Sequence, residues 1–123
     1  MSRTQHEPWP LRLTVQRAAR TLVVEFDDGS RFELPAELLR VESPSAEVQG
    51  HGPAQKVTVA GKRNVGIVAV ERVGNYAVRI VFDDGHDTGI YSWSWLYRLG
   101  RDRERIWAEY LRALEEKGLS RDP

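Results

Sequence analysis

One four-residue phrase occurs twice, as Phe26-Asp27-Asp28-Gly29 and as Phe82-Asp83-Asp84-Gly85, at an offset of 56 residues. Asp-Gly beside alternating apolar residues is among the strongest short hairpin signals, because both residues tolerate the positive φ of a type I′ turn. Each copy follows an apolar run, Leu22 to Phe26 or Tyr76 to Phe82, and precedes a returning one, Phe32 with Leu34 or Thr88 to Tyr91. A helical start comes next in both: Pro35 with Ala36, Leu38 and Leu39, and Ser92 with Trp95, Leu96 and Leu99. Two copies of strand, turn, strand and helix are too few for a solenoid, so they are expected to share one core.

Around the repeats, Leu11, Leu13 and Val15 alternate with polar residues as a half-buried strand does. Val41 to Ala54 is a glycine- and proline-bearing connection without periodicity, long enough to suggest function. Lys56 to Ala60 and Val65 to Val73 read as strands, and a helix is expected over Arg103 to Lys117, capped by Asp102 and ended by Gly118. Its apolar face comprises Ile106, Trp107, Tyr110, Leu111 and Leu114. The expected fold is α+β: an antiparallel twisted β-sheet of six to eight strands carrying two hairpin-helix pseudo-repeats, with the C-terminal helix packed on it. Residues 10–118 form the expected single domain, and 1–9 and 119–123 read as flexible ends.

Composition narrows the chemistry. The chain has no cysteine, which excludes disulfides, thiolate nucleophiles and cysteine-held zinc or iron–sulfur clusters. Eighteen basic residues balance eighteen acidic ones, which argues against a general grip on nucleic acid. No apolar run approaches the ~20 residues that cross a bilayer, so no membrane partner is expected. Met1 to Pro10 is polar, and the expected location is the cytoplasm.

Three histidines carry what metal or acid–base chemistry there is. His6 belongs to the polar amino terminus. His51 lies between Gly50 and Gly52, ahead of Pro53, inside the long connection. His86 follows the second Asp-Gly turn beside Asp83, Asp84 and Asp87, where the first repeat has Ser30, so that turn does not need histidine to form. His86 and Asp87 are adjacent and point to opposite faces of a strand, which does not suit one iron site. Neither a Gly-x-Ser-x-Gly elbow nor a phosphate-binding Gly-x-x-x-x-Gly-Lys loop is present, and no enzymatic activity is expected. Tyr91, Trp93, Trp95 and Tyr97 beside Arg98, Arg101, Arg103 and Arg105 read as helix-entry packing in preference to a base-stacking platform.

A resemblance adds to these readings. The segments Leu39-Arg40, Ser43-Pro44-Ser45-Ala46-Glu47-Val48, Gly50-His51-Gly52-Pro53, Val73-Gly74-Asn75-Tyr76-Ala77-Val78 and Phe82 through Trp93 resemble the gamma-butyrobetaine hydroxylase-like N-terminal domain over about residues 10–100. Such modules also occur fused to a carnitine-pathway dioxygenase barrel and to P-loop ATPases that carry iron–sulfur clusters. In the dioxygenase the module holds zinc through three cysteines and a histidine, and those positions fall here at Ser43, Ser45, Val48 and His86. Only the histidine is kept, so the resemblance implies no structural zinc of that kind. The 123 residues hold no oxygenase barrel either. What the resemblance implies is a non-enzymatic binding or adaptor module linked to iron–sulfur protein maturation, with assembly factors as protein partners.

The expected binding surface joins Glu47, His51 and Pro53 of the long connection to Asp83, Asp84, His86 and Asp87 of the second turn. No resident cofactor is called for. An alternative reading has His51 and His86, with Glu47 or a nearby aspartate, holding iron or zinc. A second alternative is an accessory domain for an oxygenase acting in trans.

Overall fold

The computed structural model describes residues 7–123. Three strands, β1 (Pro10–Gln16), β2 (Thr21–Phe26) and β3 (Arg31–Pro35), form an antiparallel sheet, followed by the helices α1 (Ala36–Val41) and α2 (Ala46–Gln49). A second antiparallel sheet repeats the order with β4 (Ile67–Val73), β5 (Ala77–Phe82) and β6 (Ile90–Ser92), and continues into α3 (Trp93–Arg101) and α4 (Arg103–Glu116). The α+β class and the duplicated hairpin-helix unit are those of the sequence reading, and the six strands divide into two three-stranded sheets. No helix among the described residues is long and apolar enough to cross a membrane.

The repeat extends to atomic detail. In both turns the Phe N–H donates to the carbonyl four residues on, Phe26 to Ser30 at 2.8 Å and Phe82 to His86 at 3.0 Å. In both, the second aspartate accepts the N–H two residues later, Asp28 from Ser30 at 2.9 Å and Asp84 from His86 at 3.0 Å. Only the glycines take positive φ, +91° at Gly29 and +92° at Gly85. The turns are therefore a type I turn closed by a left-handed glycine rather than the type I′ expected. The aspartate side chain explains the choice: it bonds forward to the backbone, which holds its own φ negative. A bulge interrupts each first strand, opposite Phe26 at Leu11 and opposite Phe82 at Val68. Leu11 is consequently 70 % exposed, although the alternation places it inside.

One core unites the copies. Leu22, Val24, Phe26 and Leu34 of the first sheet meet Ile67, Val78, Ile80, Phe82 and Tyr91 of the second, with Leu38 and Leu39 of α1, Leu96 and Leu99 of α3 and Ile106 of α4. Tyr91 is fully buried, and Trp93, Trp95 and Tyr97 pack half-buried against this core. Ser92 caps α3 by accepting the Trp95 N–H at 3.2 Å. Asp102 does not cap α4 with its side chain, because that carboxylate binds Arg101 and Arg105. At the other end, Gly118 at φ +65° and Leu119 bond back to Glu115 and Leu114, which closes the helix as expected. Ile106, Tyr110 and Leu114 face inward, while Leu111 stays on the surface.

Two further sequence expectations change. Residues 56–60 are not a strand: Val57 N–H donates to Val48, the Val59 carbonyl accepts from the Tyr110 hydroxyl at 2.6 Å, and Lys56 is drawn to Glu42. The carboxy-terminal residues are tied down, since Ser120 and Arg121 accept from Gly61 and Arg63, and Arg121 pairs with Glu37. His6 lies outside the described residues.

Candidate functional site

The long connection leaves α1 at Glu42 and folds against the second Asp-Gly turn. His86 is the pivot: its side chain is 3 % exposed, and Nε2 lies 2.9 Å from Ser43 Oγ and 3.4 Å from Ser45 Oγ. Ser43 is itself fully buried. Gln49 Nε2 donates to the Ser43 carbonyl at 2.8 Å within the connection, and the Tyr91 hydroxyl donates to the Leu39 carbonyl of α1, just ahead of it, at 2.5 Å. Gly89 completes the packing. A Cβ there would stand 2.5 Å from Ser43 Oγ and 2.9 Å from the Tyr91 ring, so only glycine lets the returning strand approach.

Charge brackets the pivot. Asp84 Oδ2 receives both Arg40 Nε at 2.7 Å and Lys62 Nζ at 2.6 Å. Burial works against the charge of Asp84, but Lys62, the His86 N–H and Arg40 outweigh it and hold its pKa at about 2. Arg40 Nη1 is the one buried side-chain nitrogen or oxygen without a hydrogen-bond partner among the described residues. The His86 ring titrates below the ordinary histidine value, first because burial disfavours the cation and then because Arg40 is close. Glu47, Asp84 and Asp87 pull the other way and do not prevail. Burial likewise raises the Tyr91 hydroxyl.

Outside the pivot the surface is acidic. Glu47, 64 % exposed, accepts from Thr88 Oγ1 at 2.6 Å, and its other oxygen is 3.8 Å from His86 Nδ1. Asp83 and Asp87 are exposed on the turn, and Arg79 reaches Asp87 at 3.4 Å. Glu47, Asp83, Asp84, His86 and Asp87 therefore lie on one connection-and-turn assembly. His51 and Pro53 sit farther along the connection, exposed, where the His51 N–H donates to Gln55 Oε1 at 3.2 Å. The family resemblance grouped Ser43 and Ser45 with His86, but the cations on Asp84 were missed. Arg40 and Lys62 carried no local signal for this role, because each meets the turn across a large sequence separation.

The chemistry open to this set follows from the donors. The resemblance placed the four zinc positions at Ser43, Ser45, Val48 and His86, and two of those hydroxyls do converge on the imidazole. The set supplies one nitrogen, two neutral hydroxyls and a buried valine, which does not fit zinc. A hydrogen-bonded cluster occupies the place instead. Among the described residues no three His, Asp or Glu side chains are grouped to hold a metal ion. Ser43, His86 and Glu47 follow the order of a hydrolase triad, but the hydroxyl is sealed from solvent and the acid lies beyond hydrogen-bond reach.

Comparison with known proteins gives the family and the fold. The family model described as gamma-butyrobetaine hydroxylase-like, N-terminal, matches residues 13–97. Two protein structures solved by NMR in solution are similar over nearly the whole chain. One is 46% identical at a TM-score of 0.82, covering 94% of this chain and 91% of its own. The other is 49% identical at a TM-score of 0.83, covering 100% of this chain and 92% of its own. A crystal structure from Acidithiobacillus ferrooxidans, of a protein of unknown function in the DUF971 family, is 38% identical at a TM-score of 0.61, over 74% of this chain and 91% of that one. No curated protein matches the chain.

Proposed function

The chain belongs to the gamma-butyrobetaine hydroxylase-like N-terminal family, and from that premise we propose that it is a non-enzymatic binding module that docks a protein partner on the connection-and-turn surface. One observation carries the reading: a connection with little regular structure of its own is held rigid by buried bonds to the second turn, Ser43 to His86 above all. Rigid loops that present exposed carboxylates suit recognition, because little entropy is lost when a partner binds. Glu47, Asp83 and Asp87 supply the charge, His51 and Pro53 extend the surface, and a basic partner face complements it. The partner class drawn from the family resemblance is the iron–sulfur assembly machinery.

Affinity capture from the native cell tests this. Wild-type chain is expected to retain a basic-faced partner that the Glu47→Lys/Asp87→Lys variant loses while keeping its fold by NMR. Equal capture by both chains would move the interface elsewhere. Recovery of proteins unrelated to iron–sulfur assembly would retire that partner class while leaving the surface in place.

A further inference from the structure

A second feature lies on the other flank of the same connection. A cleft of about 640 Å³ opens between residues 49–58 and the α3–α4 corner, within the range of small-molecule sites. Its apolar walls are Val41, Val57, Ile106 and Ala113. Its charges mostly cancel in place. Lys56 Nζ holds both oxygens of buried Glu42 at 2.7 and 2.8 Å, and Arg105 is shared between Asp102 at 3.3 Å and Glu109 at 3.2 Å.

Arg98 is the exception. Its guanidinium carbon lies 4.5 Å from the centre of the Trp95 ring, and it has no carboxylate partner among the described residues. A cation over a ring is held by the ring's electrons and not by hydrogen bonds, and no side-chain N–H of Arg98 is engaged among the described residues, so the fork that matches a carboxylate stays free. Trp95 is itself fixed, because its Nε1 donates to the Glu42 carbonyl at 3.0 Å. Arg98 is thus a cation without an anionic partner, held against Trp95 in the lining of a cleft that also has apolar walls.

We infer that this cleft binds a small organic monocarboxylate, its carboxylate on Arg98 and its apolar body along Val57 and Ile106. The site needs no protein partner and stands or falls apart from the docking surface. Titration of the isotope-labelled chain with sodium octanoate, followed by NMR, tests it directly. Saturable shifts are expected at the Arg98 Nε–H and at Val57 and Ala113. Arg98→Gln should weaken binding about tenfold or more, the scale of one lost charge-assisted hydrogen-bond pair. Val57→Asp, which places an anion on the exposed wall, should do the same, and the amide spectrum of each variant reports its fold. Octylammonium and octanol, equal in length, should bind far more weakly. Absence of saturable shifts, equal affinity for octanol, or unchanged affinity in folded Arg98→Gln would each overturn the site.

Discussion

His86 and Ser30 hold equivalent places in the two turns, and both N–H groups go to the preceding aspartate. The imidazole is therefore spent on Ser43 and Ser45 rather than on the turn. His86→Ala would take the imidazole from two buried hydroxyls and leave them only their longer 3.3 Å bonds to one another and to the Ser45 N–H, and a loss of about 1–3 kcal/mol is expected in urea unfolding. The pH dependence has a definite sign. The ring titrates below the ordinary 6.5, so the unfolded chain binds the proton more readily than the folded one. This contribution is complete above pH 6.5 and is lost as pH falls through the depressed folded value. Asp84 adds a second loss at lower pH, between the usual 3.8 and about 2. His86→Gln should abolish the upper step and leave the lower. A chelator should leave wild-type stability unchanged, since the Nε2 lone pair or proton already has a protein partner; a drop in stability with EDTA would favour the metal reading.

At the scale of elements, the duplicated turn offers an internal control. Gly29 and Gly85 share φ near +91°, and a Cβ at either meets nothing within 4 Å, so alanine probes the backbone alone. Gly29→Ala and Gly85→Ala should each cost about 1–2 kcal/mol and agree with one another. A much larger loss in one copy would mean that its turn is coupled to more than its own hairpin. The repeat was legible in the sequence because hairpin, returning strand and helix start are all local signals. The type of turn was not, because it depends on an aspartate bonding to the backbone two residues on, which composition does not reveal. Residues 56–60 misled for the opposite reason. Val57 and Val59 alternate with Lys56 and Thr58 as in a strand, but Lys56, Thr58 and the Val59 carbonyl are claimed by Glu42, Lys117 and Tyr110.

For the molecule as a whole, what the sequence hid is how distant parts close on one another. The apolar residues of both repeats pointed to a shared core, since neither copy buries enough alone. The pairing of the carboxy-terminal residues with α1 left no trace, because it spans 84 positions and rests on one arginine in a polar tail. Arg121 Nε and Nη2 clasp both oxygens of Glu37 at 2.8 and 2.7 Å, and the guanidinium lies over Trp107 at 5.2 Å. Glu37 is 8 % exposed against 30 % for Arg121, so removing the arginine leaves a mostly buried carboxylate without its cation. A chain ending at Gly118 should lose about 1–3 kcal/mol of stability, less than a fully buried pair would cost because the arginine is partly solvated. Glu37→Gln introduced into that shortened chain should recover part of the loss, since the orphaned charge is gone. The same cost when the shortened chain also carries Glu37→Gln would show that the tail is held by its backbone contacts to Gly61 and Arg63 rather than by the ion pair, and truncation without measurable cost would show that neither contributes.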